Sequence, residues 1–174
     1  MFGSLLLLIY PSNNGFLNPF IRKVGMSQVN PERSYNESFV LFFEGEIVGE
    51  ADVIYRLAHA YTLNKEAAFQ VVQQTLQGLI KDLPELVVSD SIGVRKRMFR
   101  DCLQQLQGVT GSDTDSSNIA TFMKQFSAEE RAALVMVELS GITVDECASL
   151  LEKEVSWVRK SMAKVRQQLV RFAG

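Results

Sequence analysis

The stretch that decides the fold runs from residue 127 to residue 174 and reads SAEERAALVMVELSGITVDECASLLEKEVSWVRKSMAKVRQQLVRFAG. Ser127 and Glu130 have the spacing of a capping box, in which each side chain accepts the other residue's backbone N–H at a helix start, and Thr143 with Glu146 repeats it. Gly141 provides a break between the two helices that these boxes open. The stretch therefore predicts two short helices and a third after them, with apolar runs at Ala132–Leu139 and Val144–Leu151.

The third helix combines an apolar stripe with a cationic face. Apolar residues recur every three or four positions, which predicts a stripe buried against the preceding helices: Val155, Val158, Met162, Val165, Leu169 and Phe172. The other face has Ser156, Trp157, Arg159, Lys160, Lys164 and Arg166. Residues 155–174 hold five Lys or Arg and no Asp or Glu, whereas the whole chain has a net charge of −2, so the preceding residues sum to −7.

A positive helix in an otherwise acidic chain is usually held there to meet phosphate. Two capped helices precede it at the spacing of a helix-turn-helix, whose last helix enters the major groove. Duplex DNA is therefore the leading partner. Four residues at the start of the helix would contact bases and phosphates: Ser156, Trp157, Arg159 and Lys160. Lys164, one turn later, would contact a phosphate. A solvated cationic face is the alternative, and Trp157 could equally pack against the protein surface.

The composition of the 174-residue chain, 47% hydrophobic and 22% charged, is typical of a globular protein. Cys102 and Cys147 each fall in a helical pattern. They are therefore predicted to be small core residues of a protein in a reducing compartment, not a disulfide or metal-binding pair. The apolar run Leu5–Tyr10 is much shorter than the roughly 20 residues of a membrane span, and no Lys or Arg precedes it as in a secretory signal. We expect a cytoplasmic protein with no membrane partner, and residues 1–34 receive no assignment.

The segment 108–118 is rich in Gly, Ser, Thr and Asp, as flexible linkers are. It predicts two small helical lobes, at 35–107 and 119–174. The front lobe has helical patterns at Ala51–Tyr61, Glu66–Lys81 and Gly93–Leu106, with Asn64 as an N-cap before the second. No strand-like alternation of useful length occurs, so the sequence predicts an all-α fold whose C-terminal lobe is a helix-turn-helix.

Two segments resemble a known family. Residues 126–151 (FSAEERAALVMVELSGITVDECASLL) and 155–166 (VSWVRKSMAKVR) resemble region 4 of extracytoplasmic-function sigma factors. Upstream, residues 57–75 (LAHAYTLNKEAAFQVVQQT) are similar to region 2, where an Ala precedes a Val-Gln-x-Thr core. The chain departs from the family pattern at three places: Glu152 stands where Gly is common in the turn, Gln70 and Gln74 replace acidic residues, and Asp101 takes an Asn position. The departures at Gln70, Gln74 and Asp101 fall in region 2, which is therefore degenerate.

The resemblance implies a dissociable initiation subunit of bacterial RNA polymerase. Region 2 would bind the polymerase core through Val72, Gln73, Gln74 and Thr75, and would open the −10 element of the promoter. The stretch that handles the melted strand corresponds here to Arg97–Cys102, with Arg97 and Arg100 as its cations. Region 4 would read the −35 element through the third helix, and an anti-sigma factor is a further possible partner.

A second hypothesis is a sigma mimic, a protein-interaction module that binds an anti-sigma factor or polymerase without reading a promoter. Degenerate region 2 favours the mimic, and the basic helix favours the initiation factor. Catalysis has little support, because His59 is the only histidine and the sequence offers no Cys/His ligand set or Gly-rich phosphate loop. We therefore expect no enzyme activity, no metal and no cofactor.

Overall fold

The computed structural model describes Ile47 and residues 49–82, 91–109 and 117–173, and within these ranges the protein is all-α, as the sequence predicts. The helices are α1 (Gly49–Thr62), α2 (Lys65–Lys81), α3 (Ser91–Gln107), α4 (Asn118–Met123), α5 (Ala128–Leu134), α6 (Val144–Leu151) and α7 (Val155–Ala173). A π-helical turn, Val135–Leu139, continues α5. No helix of the described ranges is long and apolar enough to cross a membrane.

The helix starts that depend on local capping are confirmed. Asn64 accepts a hydrogen bond from the backbone N–H of Ala67 at 3.0 Å and caps α2. Both capping boxes are formed, at Ser127 before α5 and at Thr143 before α6. As the capping box before the apolar run Ala132–Leu139 predicts, α5 begins directly after Ser127, at Ala128.

The turn between α6 and α7 comprises Glu152, Lys153 and Glu154, which is the length found in helix-turn-helix motifs. Glu152 adopts the left-handed conformation, with φ 54° and ψ 43°. Its N–H and that of Lys153 bond back to the carbonyls of Ser149 at 3.4 Å and Ala148 at 2.9 Å, which is the Schellman pattern for ending a helix. Glu152 therefore takes a conformation that glycine usually supplies.

The two halves of the chain share one hydrophobic core, whereas the sequence predicts two separate lobes. Helix α1 lies at its centre and packs against α2 and α3 of the front half and against α5 and the π turn of the back half. Side chains on several sides of α1 have no exposed area: Ala51, Ile54, Leu57, Ala58 and Ala60. Because α1 has apolar residues on more than one side, it needs neighbours from both halves, which an amphipathic pattern alone does not indicate.

Polar contacts join the halves as well. The Arg131 guanidinium on α5 donates to the carbonyls of Ala60 at 2.5 Å and Tyr61 at 2.6 Å, both in the last turn of α1, and to Phe126 at 2.7 Å. Lys96 on α3 pairs with Glu146 on α6 at 2.8 Å. The Arg131 contacts to Ala60 and Tyr61 satisfy carbonyls that the end of α1 leaves without a partner. The predicted linker falls mostly on residues 110–116, which lie outside the described ranges, as do residues 1–34.

Candidate nucleic-acid interface

The middle of the outward face of α7 is exposed to solvent. Successive residues of an α-helix are rotated by about 100°, so residues spaced by three, four and seven positions line one side. Five side chains near the middle of this face are exposed: Ser156, Arg159, Lys160, Ala163 and Gln167. We call these five residues the open strip. Arg159 and Lys160 form no ion pair within the described ranges, so their charges face solvent at the start of α7.

The apolar stripe on the opposite side of α7 is buried largely as the spacing predicts. Val158, Met162, Val165 and Leu169 are inside the core, and Val155 is partly buried against it. Phe172 is different, because half of its surface is exposed although its ring lies 4.6 Å from that of Phe122. The buried stripe fixes the rotation of α7 about its axis, and this rotation turns the open strip outward.

Lys164, which the sequence assigns to a phosphate contact, is held by the protein itself. Its ammonium donates to both carboxylate oxygens of Glu130, at 2.9 and 3.0 Å, and lies 5.5 Å from the centre of the Phe126 ring. Glu130 also accepts the backbone N–H of Ser127 as part of the capping box. Lys164 therefore fastens α7 to the start of α5.

Arg166 is likewise paired, on the other side of the open strip. Its guanidinium donates to Glu138 in the π turn, with the Nε atom 2.9 Å from the carboxylate oxygen. Residues 164 and 166 are two positions apart on a helix, so their side chains leave it about 200° apart. The two ion pairs therefore border the open strip on opposite edges.

Trp157 is partly buried and packs against the core, as the structural alternative for this residue predicts. The ammonium of Lys153 in the turn lies 5.6 Å from the indole centre and pairs with Glu129 at 2.9 Å. A cation over an indole face is attracted to the negative face of the ring. Trp157 thus helps to hold the turn against α5, beside the open strip.

The two cations proposed for the melted strand lie on α3 and differ in their surroundings. Arg97 pairs with Asp101 at 2.9 Å and with Asp82 at 2.5 Å, and its hydrogen bond to Asp101 is the main cause that raises the pKa of its guanidinium. Arg100 is exposed and forms no ion pair within the described ranges. Asp101, which departs from the family pattern, is therefore occupied by Arg97.

The proposed polymerase contact on α2 is only partly accessible. Val72 and Thr75 are buried, and the Thr75 hydroxyl donates to the carbonyl of Val71 at 2.9 Å. Val72 and Thr75 are thus core residues, which corrects their assignment to a protein-binding surface. Gln74 is exposed, and Gln73 is partly exposed.

Gln74 lines a shallow groove of about 460 Å³ between α2 and the end of α3. Asn64, Gln70 and Gln105 also line it, so four residues with side-chain amides surround the groove. Gln105 was not predicted, because it lies more than thirty positions from the others and no local pattern connects them.

The described ranges contain no cluster of three or more His, Cys, Asp or Glu that could hold a metal ion. They also offer few candidate groups for catalysis. Burial raises the pKa of the Cys147 thiol to about 12, and it also raises the pKa of the Cys102 thiol. Neither side chain is therefore a thiolate near neutral pH. His59 stacks on Tyr55 with ring centres 6.1 Å apart.

The chain was compared with models of known protein families, with curated proteins and with solved structures, and none of the three comparisons found a match. A functional interpretation therefore depends on the chain's own residues and on their arrangement. Two features carry it, namely the three-residue turn between α6 and α7 and the open strip.

Proposed function

We propose that the protein is an initiation factor of the extracytoplasmic-function sigma type, which joins bacterial RNA polymerase core and recognises promoter DNA. The observation that supports this most is the open strip, which presents Arg159 and Lys160 to solvent at the start of the last helix of a helix-turn-helix. In this motif the first residues of the last helix meet base edges in the major groove, and the helix before it crosses the phosphate backbone. In this proposal α7 reads the −35 element.

The side chains of the open strip suit this task. An Arg can donate two hydrogen bonds to O6 and N7 of guanine, which gives base preference, and Arg159 has this role in our proposal. Lys160 contacts a phosphate, which adds affinity without base preference. Ser156 can donate to or accept from either. Trp157 acts from its packed position by orienting the first turn of α7.

The front half binds the polymerase core in this proposal, through the exposed amides of Gln73 and Gln74. Arg100 is its free cation for DNA near the −10 element, since Arg97 is engaged by two carboxylates. An initiation factor of this kind works where the polymerase is, so the proposal includes a cytoplasmic location. An anti-sigma factor would bind the same chain as a competitor of the polymerase.

A sigma mimic is the second candidate, and a specific observation favours it. The halves share a core around α1, and most cations of α3 are engaged in contacts within the protein. A factor that contacts two promoter elements with two lobes needs them at separate places on the duplex. A mimic that binds an anti-sigma factor or polymerase without reading a promoter functions with the halves packed together.

Transcription in vitro separates the two candidates. Purified full-length chain is mixed with bacterial core polymerase and a library of genomic promoters, and the transcripts are sequenced. The initiation factor yields transcripts from a small promoter set, and Arg159→Ala broadens that set because a base contact is lost. A chain that binds the core but yields no promoter-dependent transcript supports the mimic. A chain that neither binds the core nor starts transcription contradicts the initiation factor and leaves only a mimic that binds an anti-sigma factor.

A further inference from the structure

Two carboxylates border the DNA-facing side of α7, and both are set deeper than the cations that they hold. The side chains of Glu130 and Glu138 are 12% and 15% exposed, whereas those of Lys164 and Arg166 are 53% and 47% exposed. Each cation thus extends over a carboxylate at the surface of the neighbouring helix. Arg159 and Lys160, between them, have no such partner in the described ranges.

The two acids meet α7 on opposite sides. Glu130 lies in α5 and Glu138 in the π turn that continues it. Lys164 and Arg166 leave α7 on opposite edges, and each meets the acid on its own side. The acids therefore flank the positive surface instead of lying beneath its centre.

We propose that Glu130 and Glu138 restrain duplex binding by holding Lys164 and Arg166, so that these two cations are withheld from phosphate while Arg159 and Lys160 of the open strip remain available to DNA. This inference rests on the proposed function and deepens it. Arg166 donates from both Nε and Nη2 to one carboxylate oxygen of Glu138, and hydrogen bonds between ionised groups are stronger than neutral ones. Lys164 has two carboxylate oxygens and an aromatic ring as partners. A phosphate has to displace these contacts before it can use either cation, whereas Arg159 and Lys160 are open to DNA without such a displacement.

The restraint has a functional consequence for a factor that must discriminate between sequences. Contacts to phosphate strengthen binding to every duplex and carry no base information. With two cations held by carboxylates, binding depends more on the strip that faces the bases. Glu130 and Glu138 thereby lower the affinity for DNA in general and leave the contacts of the first turn unchanged.

Fluorescence anisotropy with the full-length chain and a 30-base-pair duplex of random sequence, measured from 50 to 300 mM salt, tests the inference. Each neutralised phosphate contributes about 0.9 to the slope of log affinity against log salt, which corresponds to about eightfold in affinity at 0.1 M. Glu138→Gln has nearly the same shape without the charge, and Glu66→Gln on α2 is the matched control with the same change in net charge. Thermal unfolding by circular dichroism confirms that each variant is folded.

We expect Glu138→Gln to bind about eightfold more tightly with a slope steeper by about 0.9, because Arg166 becomes available to phosphate. Arg166→Gln should bind within about twofold of the unmodified chain, while Lys160→Gln loses about eightfold. Adding Arg166→Gln to Glu138→Gln should return the affinity to that of the unmodified chain. Glu130→Gln should also strengthen binding, and it keeps the capping box because Gln serves at this position as well.

The outcomes distinguish the inference from the function on which it rests. If Arg166→Gln loses as much affinity as Lys160→Gln, Arg166 already contacts phosphate and the restraint is contradicted, while the proposed DNA contact stands. If Glu138→Gln binds no better than Glu66→Gln, the restraint is likewise overturned. If neither the unmodified chain nor the double variant Glu130→Gln/Glu138→Gln binds the duplex, the DNA contact itself is contradicted.

Discussion

At the scale of single residues, Glu152 in the turn between α6 and α7 adopts a strained left-handed conformation. Its φ of 54° is one that residues with a Cβ rarely adopt, at a cost of about 1–2 kcal/mol relative to an ordinary helical conformation. The Schellman hydrogen bonds and the short turn keep it there nonetheless. Glycine meets the same requirement without the steric cost, although it also loses more chain entropy on folding.

We therefore predict that Glu152→Gly raises the free energy of unfolding by about 0.5–1 kcal/mol, the difference between the relieved strain and the added chain entropy. Urea denaturation followed by circular dichroism measures it. Glu152→Ala is the control, because it removes the carboxylate and keeps the Cβ. A Gly variant no more stable than the Ala variant would show that the conformation is not strained.

Lys164 and Val72 illustrate at the same scale what a sequence leaves open. The helical pattern correctly places Lys164 on the outward face of α7, but its ion pair with Glu130 joins residues 34 positions apart and has no local signature. Val72 belongs to a motif that the family resemblance assigns to polymerase, yet its side chain is in the core. For both residues the helical pattern predicts a position on a helix. It does not predict the carboxylate that pairs with Lys164 or the neighbours that bury Val72.

At the scale of helices, starts and stops were predictable because they are local events. A capping box needs only two residues three positions apart, and both boxes occur where the sequence predicts them. The packing of α1 against α5 was not predictable. It depends on Arg131 reaching carbonyls some 70 positions away, and nothing near either residue indicates the other.

Arg131 should accordingly contribute more to stability than an exposed arginine. Arg131→Met leaves the carbonyls at the end of α1 without their donors, and we expect the free energy of unfolding to fall by about 2–3 kcal/mol. Arg159→Met is the control, since Arg159 is exposed and unpaired in the described ranges, and should change it by less than about 0.5 kcal/mol. Urea denaturation measures both. Equal effects would mean that the Arg131 contacts do not hold α1 to α5.

At the scale of the whole molecule, the ion pair between Lys96 and Glu146 reports whether the halves stay together. The hydrogen bond from Lys96 is the main cause that lowers the pKa of Glu146 to about 2, and hydrogen bonds from Thr143 add to it. Because the folded pKa is depressed, this contribution to stability is complete above about pH 4.3, the ordinary pKa of Glu. It is lost as the pH falls from there through about 2.

We predict that Lys96→Met raises the pKa of Glu146 toward its ordinary value, which an NMR titration of the side-chain carboxyl measures. Lys65→Met is the control, because Lys65 is exposed on α2 and forms no ion pair in the described ranges. An unmodified chain in which Glu146 titrates near 4.3 would indicate that α3 and α6 are not in contact in solution.

The central claim is that the open strip of α7 binds duplex DNA, and the affinity of the Lys160→Ala variant tests it most directly. Binding of a 30-base-pair duplex is measured across a salt series for the unmodified chain, for Lys160→Ala and for Lys65→Ala as a lysine elsewhere. The account predicts that Lys160→Ala weakens binding to all sequences and lowers the salt slope by about 0.9, while Lys65→Ala changes neither. Binding that is insensitive to salt, or that Lys160→Ala and Lys65→Ala affect equally, would contradict it.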